Sequence, residues 1–159
     1  MSSAVNIALP AIGSEFAIDA VLLNWISTAF ILASAMSLVP MGRLADMRGR
    51  KRVFMIGMAV YTAASIAGPC VSTAHALIIC RVVQGIGGAV TFGTGMPILI
   101  SVFPPKSRGR VLGINVAAVY PGLSMGPFLG GLITHYLGWR FIFLATVPPG
   151  LPILIIVPI

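Results

Sequence analysis

Charged residues divide the chain into long apolar runs, and these runs define the predicted elements. The uncharged runs cover 20–42, 53–80, 82–105, 111–139 and 141–159. A helix needs about 20 residues to cross the hydrocarbon core of a bilayer. The run at 53–80 is too long for one crossing, and Gly, Pro, Ser and Thr residues near its middle supply a turn. The pattern therefore predicts helices near 21–43, 53–71, 76–102, 110–136 and 141–159.

The opening segment, 1–13, is apolar but short. At about 1.5 Å per residue it reaches about 20 Å, which is less than the roughly 30 Å hydrocarbon core. Two interpretations compete: the hydrophobic region of a signal peptide, or a crossing helix without its first half. A signal peptide has a basic region before its apolar core, and no base precedes Arg43. We therefore favour a truncated first helix.

Composition indicates what surrounds these helices. Of the 159 residues, 58% are hydrophobic and 8% are charged, and the mean hydropathy is +1.04. A soluble domain is about 25% charged. Ten basic and three acidic side chains cannot cover the surface of a packed core, so the apolar excess faces lipid. The sequence predicts an all-α, multi-pass membrane protein.

The net charge of +7 is concentrated in two short basic segments, which indicate topology. The positive-inside rule places the loops 43–52 and 103–110 in the cytoplasm, and the loop that contains Glu15 and Asp19 outside. A nucleic-acid-binding protein needs a basic face with aromatic side chains on a soluble fold, so we expect no nucleic-acid partner.

Candidate catalytic chemistry is sparse. The three acids, Glu15, Asp19 and Asp46, lie outside the predicted spans, and His75 and His135 lie near the outer surface. No acid, base and nucleophile cluster together. The two cysteines have neither CxxC spacing nor a nearby His or acid, which is typical of packing residues. We therefore expect no enzyme activity, no metal site and no cofactor.

Small residues recur every four positions in the fifth span, at Ala118, Gly122, Gly126 and Gly130. Such a ridge lets another helix approach closely, and ordinary helix packing is sufficient to explain it. The neighbouring Pro127 removes a helical hydrogen bond and favours a kink there. A hinge or a seal is the alternative interpretation.

Arg81 is the one base that falls within a predicted span. Placing an Arg in the membrane costs at least ~2.5 kcal/mol unless it reaches the interface or lines a wet cavity. Either the fourth helix begins only at Val82, or Arg81 faces a cavity, and we favour the cavity. Gln84, Gly85 and Gly88 follow on the same helix face and form a narrow polar stripe.

The first basic loop, 42–52, contains one acid, Asp46. A carboxylate at a helix C-terminus faces the negative end of the helix dipole, which costs about 0.3 to 1 kcal/mol unless a cation compensates. Arg50 at i+4 supplies that charge, and Gly49 suits a left-handed turn. A basic loop that only sets topology is the alternative interpretation.

Five patterns, in chain order, resemble the major facilitator superfamily. The first basic loop is similar to its loop signature, Gly42-x-Leu44-Ala45-Asp46-x-x-Gly49-Arg50-Lys51. The fourth and fifth spans resemble its second motif and its antiporter motif, Arg81-x-x-Gln84-Gly85-x-Gly87-Gly88 and Gly122-x-x-x-Gly126-Pro127-x-x-Gly130-Gly131. Two further patterns look like the fourteen-helix drug:proton antiporter branch, the QacA/EmrB type: Asn6-x-Ala8-Leu9-Pro10 and Trp139-Arg140-x-x-Phe143.

The resemblance implies an N-terminal six-helix bundle of two inverted three-helix repeats, with substrate bound at the midplane against a second bundle. It implies proton-driven export of drugs or other amphipathic small molecules across the cell (inner or plasma) membrane by alternating access. Within it, Asp46 and Arg50 belong to a cytoplasmic gate, Arg81 is tied to proton coupling, and the Gly126-Pro127 ridge seals a helix interface.

Two departures qualify this expectation. The family usually has an acid in the first helix, just before the position of Asn6, and continues for hundreds of residues beyond Ile159. The sequence therefore predicts a fragment that lacks the C-terminal half of a transporter. Two alternatives remain, a major facilitator carrier for uptake of a sugar or organic anion, and a non-transporting membrane scaffold subunit.

Overall fold

The structure is a computed structural model of the chain, and it describes residues 2–148 and 150. That part of the chain is almost entirely helical and contains no β-strand. The helices are α1 (Ser2–Phe16), α2 (Ala20–Arg48), α3 (Arg50–Ala67), α4 (Ala74–Val102), α5 (Arg108–Leu137) and α6 (Arg140–Leu144), with short 3₁₀ turns at Gly68–Cys70 and Pro105–Ser107.

Local capping explains several of the helix boundaries. The Asp19 carboxylate accepts a hydrogen bond from the Leu22 amide at 3.1 Å and starts α2. The Thr73 hydroxyl does the same for the Ala76 amide at 3.3 Å and starts α4. Each side chain satisfies an amide that has no partner inside its helix. The boundaries at the outer ends of α2 and α4 are thus set by single polar side chains.

The helix α4 lies at the centre of the most extensive packing, with α2 on one side and α3 on the other. The helix α1 packs against α5, and α6 packs against α5 and the Gly68–Cys70 turn. Four helical segments, 20–48, 50–70, 74–102 and 105–137, are long and apolar enough to cross a membrane. This confirms the prediction of an all-α multi-pass membrane protein.

Buried apolar side chains are unequally divided between the two ends of the bundle. The larger cluster, near the end that the charge pattern predicts to be outer, joins α1, α2, α4 and α6 through Ala4, Val5, Ala8, Ile12, Ile26, Leu77, Trp139, Ile142 and Phe143. The smaller one, near the end predicted to be cytoplasmic, consists of Ala45, Val53 and Val90. The outer end is therefore the better packed of the two.

The predicted loops at 43–52 and 103–110 are wrong in their extent. The helix α2 continues to Arg48, and α3 begins at Arg50, so Gly49 is the whole connection. Gly49 has φ +95°, which glycine adopts without steric cost. The helix extends because Ala45 is still buried against neighbouring helices while the basic side chains point outward. At the second loop, α5 already begins at Arg108.

The predicted sixth helix at 141–159 is interrupted in its described part. The helix α6 ends at Leu144, a turn follows at 145–146, and residues 147–148 and 150 are helical again. In that turn the Thr146 hydroxyl donates a hydrogen bond to the Phe143 carbonyl oxygen at 2.6 Å. The remainder of that prediction, 149 and 151–159, lies outside the described residues.

Candidate functional site

The guanidinium group of Arg81 is buried in the centre of the bundle. Arg81 is 2% exposed, seven residues after the first residue of α4. Its Nε donates a hydrogen bond to the Ile26 carbonyl oxygen of α2 at 3.2 Å, and its Nη1 donates to the Gln84 side-chain oxygen at 2.6 Å. A buried cation is tolerated only when such partners replace its lost hydration. Arg81 therefore ties α4 to α2.

Gln84 extends this network to α3. Its amide Nε2 donates a hydrogen bond to the Ser65 hydroxyl at 2.8 Å, and that hydroxyl donates to the Tyr61 carbonyl oxygen at 2.8 Å. Gln84 and Ser65 are both buried. A chain of hydrogen-bonded polar groups restricts the side chains that it contains. The network thus connects α2, α4 and α3 through one arginine.

Two aromatic rings face the same guanidinium group. Its central carbon lies 4.3 Å from the ring centroid of Phe30 and 6.0 Å from that of Phe143. An arginine over an aromatic face gains about 2 kcal/mol or more when both are desolvated. The Nη2 atom of Arg81 has no hydrogen-bond partner among the described residues. The Nη2 amino group of Arg81 is consequently free to donate.

Glycines let α4 approach its neighbours closely at this level. A Cβ on Gly85 would lie 2.6 Å from the Phe30 carbonyl oxygen, and one on Gly87 would lie 2.6 Å from the Tyr61 amide nitrogen. The Ser34 hydroxyl donates a hydrogen bond to the Gly85 carbonyl oxygen at 3.0 Å. Both glycines are therefore contact points between helix backbones, which side chains would force apart.

The structure bears on the two interpretations of Arg81, that the fourth helix begins only after it or that it faces a cavity. The fourth helix begins at Ala74, so the interpretation that it starts at Val82 is wrong. Neither of the two cavities described here is lined by Arg81. Gln84 and Gly85 lie directly beside Arg81 in the network. A Cβ added to Gly88 would instead lie 3.7 Å from ring carbons of Phe30 and Tyr61.

The larger cavity, about 730 Å³, lies between α3, α4 and α5. Its wall is mostly apolar, with hydroxyl and amide groups from Tyr61, Thr91, Asn115 and Tyr120. An apolar wall with a few polar groups is typical of small-molecule sites.

The residues of the predicted gate lie together at the cytoplasmic junction of α2 and α3. The Asp46 carboxylate accepts a hydrogen bond from Nε of Arg50 at 2.8 Å across Gly49, as the i+4 spacing predicted. Both side chains are about half exposed, so this pair adds little stability. Lys51 is exposed beside them, while Gly42 and Leu44 are half-buried one turn earlier.

The antiporter residues of α5 are only partly in contact with the rest of the described chain. Gly130 is buried, and a Cβ there would lie 2.7 Å from the Cβ of Ala4 in α1. Gly131 is half-buried beside Ile7, and nothing lies near Gly122. Gly126 and Pro127 are half-buried, and α5 remains helical through this point. The ridge therefore contacts α1 at its outer end alone.

A second polar assembly holds the outer end together. The Glu15 carboxylate accepts a hydrogen bond from the Trp139 indole at 2.6 Å and pairs with the Arg140 guanidinium at 2.5 Å. The Arg140 Nε also donates to the Pro69 carbonyl oxygen at 3.1 Å. The hydrogen bonds from Trp139 and then from Arg140 hold the pKa of the Glu15 carboxyl below its ordinary value. We call Glu15, Trp139 and Arg140 the outer assembly.

Sequence reasoning missed several members of these two networks. Ser65, Phe30 and Phe143 come from three different helices, and nothing near each in the sequence marks it as a partner of Arg81. The signal for Glu15 was its charge: an acid beside an apolar helix needs a cation, and Arg140 directly follows the turn between α5 and α6, which the sequence predicts to lie on the same side as Glu15. Pairing the acids and bases predicted outside the membrane would have found it.

Comparisons with known proteins agree with these observations. The family model described as Major Facilitator Superfamily matches residues 1–159. The chain is 32% identical to a riboflavin transporter of Clostridioides difficile over 94% of its own length and 33% of the relative's. It is 36% identical to a cephamycin export protein of Amycolatopsis lactamdurans over 96% of this chain and 32% of the relative. A multidrug resistance protein of Mycobacterium tuberculosis is 35% identical over 92% of this chain and 27% of the relative. The chain thus spans about a third of the length of these relatives.

Proposed function

The chain belongs to the major facilitator superfamily, and from that premise we propose that it forms part of a proton-coupled exporter of amphipathic small molecules. This is a family of transporters, so the family match confirms the prediction of a transport protein in place of an enzyme. Relatives named for cephamycin export and for multidrug resistance support export of such compounds. The mostly apolar cavity between α3, α4 and α5 suits them.

The observation that carries the proposal is the buried arginine. A cation at this depth is expensive, and ionisable residues inside membrane proteins usually serve ion or substrate pathways. In the described structure its Nη2 atom has no hydrogen-bond partner, whereas Nε and Nη1 each donate one hydrogen bond. We infer that Arg81, with Gln84 and Gly85 beside it, takes part in proton coupling through that donor.

The other predicted sites have matching proposed roles. Asp46 and Arg50 would form the cytoplasmic gate against a second bundle, together with Gly42, Leu44, Gly49 and Lys51. The exposed Gly122 of the α5 ridge, with the half-buried Gly126 and Pro127, would pack against that bundle. Gly130 and Gly131 would seal the contact with α1. Each role requires the second transporter half, which we propose as the partner of this chain.

We propose the cell (inner or plasma) membrane as the location, with the basic junctions near 43–52 and 103–110 in the cytoplasm. Both basic segments lie at helix ends, which is where the positive-inside rule acts. An antibody against 43–52 would purify the native protein for measurement of its intact mass. A mass about three times 16.6 kDa supports a second half in the same chain. A mass of 16.6 kDa would require a separate partner subunit.

Transport should be tested with Arg81→Ala in the native-length protein, in vesicles with an imposed proton gradient and ethidium as the amphipathic probe. We expect proton-driven ethidium efflux to fall at least about 100-fold, because no other buried cation can replace Arg81. Arg110→Ala is the matched control, since Arg110 is exposed at the start of α5. Normal efflux in Arg81→Ala at equal expression would contradict the assigned role.

A second candidate function rests on the relative named as a riboflavin transporter. A major facilitator carrier that imports such a compound would use the same bundle but couple substrate and proton flow in one direction. Measuring proton flux during transport separates the two functions. Protons that move opposite to the substrate support the exporter, and protons that move with it support the importer.

A further inference from the structure

The outer assembly is connected to the buried arginine by packed aromatic rings. The ring of Trp139 meets that of Phe143, one helical turn later, edge to face at 6.1 Å, and both residues are buried. Phe143 in turn lies 6.0 Å from the guanidinium carbon of Arg81. Rings packed in this way restrict one another's rotation. The position of Phe143 therefore depends on the start of α6.

The start of α6 is itself held by three polar contacts to other elements, one of which is the hydrogen bond from the Trp139 indole to Glu15. Arg140 pairs with Glu15 at the end of α1 and donates to the Pro69 carbonyl oxygen after α3. The Phe143 ring packs directly on Gly68, where an added Cβ would lie 2.8 Å from the ring. Loss of the ion pair would release one of the three polar contacts that hold the start of α6, and with it the position of the Phe143 ring. At the other end of the bundle, the described ion pair of Asp46 and Arg50 joins only the adjoining ends of the consecutive helices α2 and α3.

No carboxylate of this chain can hold Arg81. The sequence contains three acids, and in the structure Glu15 pairs with Arg140, Asp19 caps α2 and Asp46 pairs with Arg50. The orientation of the Arg81 guanidinium thus depends on one carbonyl oxygen, one amide oxygen and the two rings. Hydrogen bonds fix Nε and Nη1, and the rings fix the plane around them.

We propose that Glu15 is a positioning residue for Arg81: its ion pair with Arg140 holds α6 so that Phe143 confines the guanidinium group from the outer side. The inference rests on the proposed role of Arg81 in proton coupling. Separation of α1 from α6 at the outer face would then move Phe143 and so change the surroundings of Arg81, although Glu15 itself does not contact Arg81. Phe30 confines the same group from α2 and is the second positioning residue.

The test uses Glu15→Gln in the native-length protein, since glutamine still accepts from the Trp139 indole but cannot pair ionically with Arg140. We expect the pH profile of ethidium efflux to change, with a roughly threefold lower rate at neutral pH. We also expect faster hydrogen exchange in the α4 peptide around Arg81, although Glu15 does not touch α4. Glu15→Asp, which keeps the charge, should restore most of both properties.

Asp19→Asn is the matched control, because it removes an acid from the same face and keeps the cap of α2. Arg140→Gln breaks the ion pair from the other side and serves if Glu15→Gln is poorly expressed. An unchanged pH profile, or exchange changes confined to the outer peptides, would overturn the positioning role. Full efflux in Arg81→Ala would instead overturn the proposed function, and the exchange measurement would still test the positioning.

Discussion

The helices α4 and α5 are both rich in glycine and proline, but they use their small residues differently. In α4 nine residues are buried, and its glycines press against the backbones of α2 and α3. In α5 only Gly130 is buried among the described residues, and Gly122 meets nothing within 4 Å. The small residues of α4 therefore serve packing inside the bundle. Those of α5 leave an exposed surface, which we propose contacts the second transporter half.

The strongest test of this comparison is Gly87→Ala in α4. The added methyl group would lie 2.6 Å from the Tyr61 amide nitrogen and 2.8 Å from the Gly57 carbonyl oxygen, and neither backbone can move easily. We expect the free energy of unfolding to fall by about 2 to 3 kcal/mol, the upper part of the range for overpacking. Unfolding in detergent micelles by added dodecyl sulfate measures this loss of stability. An unchanged unfolding midpoint would mean that α3 and α4 are farther apart than the structure places them.

Gly130→Ala in α5 should have a smaller effect. The methyl group would lie 2.7 Å from the Cβ of Ala4 and 2.8 Å from its Cα, but α1 packs less extensively on the other helices than α4 does, so it can shift more easily. We expect a loss of about 1 kcal/mol in the same unfolding assay. A loss as large as that of Gly87→Ala would show that the α1–α5 crossing is as rigid as the α3–α4 crossing.

Acid should weaken the outer attachment of α5 and α6 before it affects α4. A carboxyl group whose pKa is lowered by folding contributes stability above its unfolded pKa, and that contribution is lost as pH falls through the folded value. For Glu15 this places the loss below the ordinary carboxyl range. Because the side chain is 40% exposed, the change should be small. Trp139 fluorescence against pH measures it, with Trp25→Phe as background and Glu15→Gln as the variant without the transition.

Gly122→Ala should change the free energy of unfolding least, and it should raise that free energy instead of lowering it. With nothing near the added methyl group, the better helix propensity of alanine should stabilise α5 by about 0.5 to 1 kcal/mol. If a second bundle packs on this ridge, the same variant should lower efflux in the native-length protein. Stabilisation together with full efflux would mean that α5 faces lipid at Gly122.

Much of the fold could be predicted because the physics of the bilayer is simple. Long uncharged runs must be helical and must cross, so the positions of α2 to α5 follow from where charges are absent. Helix ends were less accurate, since α2 continues past the uncharged run to Arg48, where the Ala45 side chain is still buried. Hydropathy does not detect a contact of that kind.

The candidate site could be predicted only where its residues are neighbours in sequence. Gln84 follows Arg81 at i+3, and Arg50 follows Asp46 at i+4, so both pairs were visible in the helical pattern. The bond between Glu15 and Trp139 joins residues 124 positions apart, and it depends on how α6 docks. Such long-range partners come from packing, which one sequence without its fold does not specify.

The joint at Gly49 has a mechanical consequence. Because the single residue Gly49 connects α2 to α3, we expect the adjoining ends of the two helices to move together. The connection between α4 and α5 is longer, with residues 103–107 between the helix ends, and allows α5 to pivot. Inserting two flexible residues after Gly49 should therefore disconnect motion at the cytoplasmic face from α4 even if every helix still folds. The same insertion after Pro104 should be harmless.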